Sequence, residues 1–270
     1  MNFMGNLFST LLLLSFVLLF SCNSKGDQEN LKKGFSPADS LQQLISKYPD
    51  SLELQILLQE KNYSKGDTAI ALKNLEALLK KYEKRTDLHN ALAVIQLQMG
   101  DTSNAVGSLV NSLAINQLQP EIEFELAFIE AARGNSKALA IADKIMAQYP
   151  DKEIQAKAHF TKGIYYANKT MLREAIKEFD AAIINNFTSI DAYVEKGILQ
   201  YEWGETGKSI DVLSKAAEID KNNPDIFFWL GKGYKQRKEE DQALLYFGET
   251  LKLDPNYEAA KTAIQALNKN

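Results

Sequence analysis

Apolar residues between positions 52 and 257 fall into paired stretches, and within each stretch they recur at the three- and four-residue spacing of one helical face. The pairs themselves repeat. Gly66-Asp67, Gly100-Asp101 and Gly134-Asn135 stand 34 residues apart, and Gly163, Gly197 and Gly231 stand 34 apart again. In register, six units span 52 to 85, 86 to 119, 120 to 152, 156 to 189, 190 to 223 and 224 to 257, with one deletion and a three-residue insertion near Pro150. One column of the register reads Gln59, Ala93, Ala127, Gly163, Gly197, Gly231, and another reads Ala71, Ala105, Ala138, Ala175, Ser209, Ala243. A third, Leu75, Leu109, Ala142, Phe179, Leu213, Phe247, is mostly large. The pattern predicts two antiparallel helices per unit, crossing closely where a side chain is nearly absent and wedged apart where it is large. The turn is legible as well: Gly66-Asp67-Thr68 and Gly100-Asp101-Thr102 set a helix-ending Gly before a candidate N-cap.

Spacing and columns together resemble the tetratricopeptide repeat, most closely over Tyr193 to Asp220 and Phe227 to Asn256, with His159 to Ile183 a third good match. The resemblance covers 52 to 257. It implies an all-α solenoid of about six helix-turn-helix units. Units 52 to 85 and 86 to 119 are more degenerate, the closing Pro survives only as Pro150 and Pro255, and Thr170 and Lys238 replace the turn Gly. A helix within 36 to 50, introduced by Ser36-Pro37 and stopped by Pro49-Asp50, is expected to cap the array of residues 51 to 257 at one end. Residues 258 to 270 would cap the other, with Ala259, Ala260, Ala263, Ile264 and Leu267 on one face and Lys261, Gln265 and Lys269 on the opposite one. Solenoids need such caps because an inner repeat exposes two apolar sides.

The amino terminus has a different character. Leu7 to Phe20 is an apolar run of 14 residues broken only by Ser9, Thr10 and Ser15, too short to span a hydrocarbon layer that needs about 20 helical residues. It has the length of a signal-peptide core, although Met1 to Asn6 contains no Lys or Arg. Leu19-Phe20-Ser21-Cys22 resembles a bacterial lipobox. The resemblance implies removal of residues 1 to 21, lipidation of Cys22, and a solvated tether over 22 to 35. Cys22 is the only cysteine, so the chain forms no internal disulfide. Two or more acyl chains on that thiol would anchor the protein stably to a membrane. The expected location is the bacterial cell envelope, with the outer membrane and periplasm favoured.

Charge narrows the function classes. Thirty-one Lys plus Arg against 35 Asp plus Glu leave a formal net charge of −4, without the broad basic field that nucleic-acid backbones require. His89 and His159 share one column of two different repeats, which argues for a structural role rather than a metal site. Gly204-Glu205-Thr206-Gly207-Lys208-Ser209 fails as a phosphate loop because Glu202 stands where the first Gly belongs, and it joins two helices instead of following a strand. No G-x-S-x-G elbow occurs. The chain is therefore expected to be no enzyme, with no cofactor, no metal and no catalytic residues.

In the tetratricopeptide family the first helix of each unit lines the concave face. The resemblance places three columns there: Ile56, Asn90, Phe124, Phe160, Val194, Phe228; Glu60, Val94, Phe128, Ile164, Ile198, Lys232; and Tyr63, Leu97, Ala131, Ala167, Tyr201, Lys235. Phe124, Phe128, Phe160, Ile164, Val194, Ile198, Tyr201 and Phe228 are thus the expected partner-binding wall, an exposed apolar patch of the kind that marks an interaction site. A first-turn column, Glu53, Asp87, Glu121, Lys157, Asp191, Asp225, suits the helix dipole and would also favour Lys or Arg flanking an apolar ligand. The Lys, Asn and Arg carboxylate clamp of some family members is missing, since Ile56, Glu60, Ala91, Glu121 and Glu125 stand at its places. The expectation is a lipid-anchored adaptor that binds an apolar protein segment. Its rivals are a glycan-binding protein or hydrolase using Glu125, Glu195 or Tyr201 in the groove, and a structural homo-oligomer.

Overall fold

A computed structural model describes residues 41–268. The expected signal segment, Cys22, the tether and the start of the first cap lie outside the described residues. The described chain is helical throughout: α1 (Leu41–Lys47), α2 (Leu52–Ser64), α3 (Thr68–Lys81), α4 (Thr86–Gln98), α5 (Thr102–Ile115), α6 (Pro120–Ala132) and α7 (Lys137–Gln148). Then follow α8 (Lys152–Asn168), α9 (Leu172–Asn185), α10 (Ile190–Glu202), α11 (Thr206–Ile219), α12 (Pro224–Gln236), α13 (Glu240–Leu253) and α14 (Glu258–Leu267). The helices form two compact units that divide between Ile129 and Glu130, within α6.

In the second unit each helix pair is closed by one glycine and one large side chain. A Cβ placed on Gly163 would stand 2.5 Å from the Phe179 ring, one on Gly197 2.6 Å from Leu213, and one on Gly231 2.7 Å from the Phe247 ring. Those distances are shorter than any carbon contact, so the helices approach this closely only because the side chain is missing. Phe179, Leu213 and Phe247 are completely buried, as are Ala175, Ser209 and Ala243 one turn earlier. Ser209 keeps its hydroxyl in this dry crossing by donating a 2.7 Å hydrogen bond to the Gly197 carbonyl.

The first unit uses the same positions with other residues. Ala71, Leu75, Ala93, Ala105 and Leu109 are fully buried. Gln59 takes the glycine place: its amide donates to the Gln55 carbonyl at 3.0 Å, and its oxygen accepts from Asn62 at 3.1 Å and Asn74 at 2.9 Å. A polar side chain occupies the crossing because three partners satisfy it.

Every first helix ends alike. The amide of the residue at the turn bonds the carbonyl three back, and the next amide reaches five back, as in Gly66 to Tyr63 and Asp67 to Asn62, or Lys238 to Lys235 and Glu239 to Tyr234. This closure demands positive φ. Gly66, Gly100, Gly134 and Gly204 supply it at 90°, 78°, 65° and 81°, and Thr170 and Lys238 adopt 57° and 63° without being glycine. The two candidate N-caps differ: Asp101 accepts from the Asn104 amide, whereas the Asp67 side chain makes no capping bond. Asp67 serves the turn through its backbone instead.

At the chain ends, α1 buries no side chain. In α14, Ala260 and Leu267 are buried, and Ala263 and Ile264 pack on the Phe247 cluster. Ala259 is exposed, so the apolar face is narrower than its sequence suggests.

Gly231→Ala, which in an open helix would gain about 1 kcal/mol from propensity, should here lower stability by about 1 kcal/mol because overpacking wins. Pairing it with Phe247→Leu should show a favourable coupling of about 1 kcal/mol in urea unfolding, since the first unit places Ala93 and Leu109 at the equivalent positions. Strict additivity would refute the steric account. Lys238→Gly relieves a left-handed backbone strain of about 1 to 2 kcal/mol, partly offset by glycine's freer unfolded chain. The melting temperature should rise by a few degrees.

Candidate functional site

The first helices of the pairs, α2 and α4 in one unit and α8, α10 and α12 in the other, carry the residues in question. Phe124 and Phe128, on the part of α6 that belongs to the first unit, are half-buried. In the second unit Val194, Ile198, Tyr201 and Phe228 are half-buried too.

Two of the expected wall residues are core residues instead. Phe160 is 8% and Ile164 2% exposed, so neither presents a surface to a partner. The Phe160 ring lies 5.8 Å from Phe179. The space vacated at Gly163 lets Phe179 reach deep into α8, and Phe160 packs against that ring. Val194 also leans on the core around Leu213 and Leu230. What is left of the wall centres on Ile198, Tyr201 and the aromatic cluster of α12.

That cluster holds a cation. The Lys232 ammonium sits 3.6 Å from the centroid of Trp229, 4.7 Å from Tyr201 and 5.9 Å from Phe228. Tyr201 and Phe228 both meet Trp229 edge-on, at 5.5 Å and 5.9 Å. The Tyr257 ring packs 4.9 Å from Phe228, and its hydroxyl donates to Asp225 at 2.6 Å. Burial lowers the Lys232 pKa, with Glu202 opposing the shift. Attraction between the ammonium and the ring faces supports the remaining charge.

Also on α10 lies Glu195, 5% exposed. Burial, reinforced by the charges of Asp191, Glu202 and Asp225, raises its pKa from 4.5 to about 8. Burial also raises Glu60 and Glu125 in the first unit to about 7. Glu60 borders a small depression with Ile56, Tyr63 and Val94, with room for about one water. Most first-turn acids are engaged elsewhere: Glu53 and Asp87 pair with Arg85 at 3.3 Å and 2.6 Å, and Asp225 takes the Tyr257 proton donor.

Both histidines are structural. The His159 Nδ1 lies 2.6 Å from Glu178, whose other oxygen is 3.6 Å from the Lys162 ammonium. Burial pulls the Glu178 pKa up, but His159 and Lys162 outweigh it and hold the carboxyl below its usual range. His89 reaches only the Glu83 carbonyl, at 3.4 Å. Among the described residues, no group of three His, Cys, Asp or Glu side chains is placed to hold a metal, and no helix is long and apolar enough to cross a membrane. The Gly204–Ser209 segment spans the α10–α11 turn and the first residues of α11, between two helices as its spacing suggested.

Sequence columns missed Trp229, which shares its column with Leu57, Ala91, Glu125, Thr161 and Glu195 rather than with the wall. Its position three residues before Lys232 on one helix was the available signal. They also missed Leu118, Ile184 and Phe187, the most exposed large apolar side chains at 76%, 80% and 74%. Phe187 stands where the repeat pattern carries its closing Pro.

The described chain has the all-α tetratricopeptide solenoid fold. It is similar to the crystal structure of a tetratricopeptide repeat protein from Parabacteroides merdae ATCC 43184, with a TM-score of 0.69 and 18% identity over 98% of this chain and 100% of that one. It is also similar to PilW, described as a widely conserved type IV pilus biogenesis factor, with a TM-score of 0.62 and 19% identity over 80% of this chain and 97% of that one. No family model matches the chain. A 95-residue stretch, 35% of the chain, is 30% identical to human protein O-mannosyl-transferase TMTC3, and it spans only 10% of that protein's length.

Between pH 4.5 and about 8 the folded chain holds a proton on Glu195 that the unfolded chain has released. Its contribution to stability is therefore greatest at acid pH and is lost as pH rises through that window. Glu195→Gln should leave urea stability near pH 4 almost unchanged and raise it at pH 8 by an amount on the order of a few kcal/mol. Parallel pH profiles for the two proteins would contradict this.

Proposed function

We propose that the protein is a lipid-anchored, non-enzymatic adaptor of the bacterial cell envelope. Its first-helix face binds an apolar segment of a partner protein with basic residues nearby, in the service of envelope assembly or secretion. The observation that carries this reading is the set of half-buried apolar side chains on first helices, Phe124 and Phe128 in one unit and Ile198, Tyr201, Phe228 and Trp229 in the other. Large apolar groups left partly open on a helical scaffold favour capture of an apolar helix or strand. The acids on α10 and at the start of α12 favour a basic flank. Likeness of fold to a pilus biogenesis factor fits this reading. The lipobox-like Leu19-Phe20-Ser21-Cys22 supports the anchor, with the outer membrane favoured.

Two experiments test the two halves. Cys22→Ser should move the protein from the membrane fraction to the soluble fraction and abolish acyl labelling; retention of label would remove the anchor. Photocrosslinking from Ile198 in intact envelopes should trap a discrete partner, and Ile198→Glu in pulldown should lose that same protein about ten-fold, as expected when a charge is forced into an apolar contact. A captured set unaffected by Ile198→Glu would overturn the adaptor reading.

A further inference from the structure

In the three first-helix columns expected to face a partner, Glu60 is the only acid. It is half-buried on α2 and lines a depression in the first unit, together with Ile56, Gln59 and Tyr63 of the same helix, Leu75 of α3 and Val94 of α4. The space holds one water-sized group. Gln59 is already engaged there: its oxygen accepts from Asn62 and Asn74, and its amide donates to the Gln55 carbonyl. Glu60 therefore supplies the one charge of the depression. Glu53, two turns earlier on α2, meets Arg85 at 3.3 Å, whereas no ion pair or hydrogen bond engages the Glu60 carboxyl among the described residues. Burial alone raises its pKa to about 7, and no neighbouring charge adds to or opposes the shift. A carboxylate in apolar surroundings is costly, and a cation brought beside it removes that cost.

We infer that this depression seats one lysine ammonium of the partner segment against the Glu60 carboxylate, and that it takes lysine in preference to arginine. The inference rests on the adaptor reading and specifies the partner's basic residue. Charge, size and shape each select that occupant. The carboxylate calls for a cation, and a glutamate in its place would set two carboxyls together in apolar surroundings. An ammonium matches the space of one water, whereas a planar guanidinium carries three nitrogens and exceeds it. The four-carbon lysine stem lies along Ile56, Tyr63 and Val94 while its head reaches the carboxylate, so apolar surface is covered on both sides. Where Glu60 carries a proton, that proton leaves to solvent as the lysine enters.

The test titrates the full chain, labelled at its Ile and Val methyl groups, with four acetylated, amidated leucine-rich nonapeptides that differ only in a central lysine, arginine, norleucine or glutamate. Calorimetry reads affinity, and the methyl resonances of Ile56 and Val94 read location. The lysine peptide should bind about ten-fold more tightly than the norleucine peptide, which keeps the stem and lacks the ammonium. The arginine peptide should gain no more than about two-fold over norleucine, and the glutamate peptide should bind most weakly. Glu60→Gln should level lysine with norleucine, and Glu60→Asp should keep part of the preference. Glu76→Gln, which removes an exposed charge on α3, should leave it unchanged. Circular dichroism melts confirm that each variant is folded. Equal binding of lysine and norleucine peptides, equal binding of lysine and arginine peptides, or a lysine preference that survives Glu60→Gln overturns the proposal and leaves the adaptor reading standing. A lysine preference whose methyl shifts fall at Ile198 and not at Ile56 and Val94 does the same. Binding of none of the four overturns this proposal and counts against the adaptor reading as well.

Discussion

The second unit depends on one steric constraint, repeated in each of its helix pairs: a glycine on the first helix lets a large side chain on the second helix reach its axis. In the second unit this is Gly163 with Phe179, Gly197 with Leu213 and Gly231 with Phe247. Because the interior is close-packed, neither partner of a pair can change size alone. The crossing fixes the separation and rotation of the two helices. The rotation in turn decides which side chains of α8, α10 and α12 enter the core and which stay at the surface.

The same constraint thins the binding surface. Phe179 enters α8 through the gap at Gly163, and Phe160 packs on its ring instead of facing solvent. Nearer the carboxyl end, Phe247 is matched by Phe228, Phe228 by Tyr257, and the stack props Trp229 beside Tyr201. Aromatic side chains continuous with the core therefore reach the surface around Lys232. Their rigidity makes the Lys232 cage a defined geometry rather than a passing contact.

Electrostatics on this face run against ordinary practice. Elsewhere in the chain acids meet bases, as Glu53 and Asp87 meet Arg85, and Glu178 meets His159 and Lys162. On α10 the Glu195 carboxyl is buried within reach of the charges of other carboxyls, and on α12 the Lys232 ammonium packs against aromatic rings.

Much of this was legible from residue order alone. The 34-residue spacing of glycines and the small and large columns fixed the helix pairs and their crossings, because contacts between neighbouring helices are local and repeat with the chain. The replaced turn residues Thr170 and Lys238 were visible as departures, and the fold accommodates them in the same left-handed turn. Sequence could not tell Phe160 and Ile164 from Ile198 and Tyr201, since all four lie in the three first-helix columns expected to face outward, and Ile164 and Ile198 share one of them. Only tertiary packing separates them, through the size of the side chain that each crossing admits. Nor could it join Tyr201 to Trp229 and Lys232, or strand Glu195 among acids, because those arrangements span two repeats and depend on how far one helix is rotated against the next.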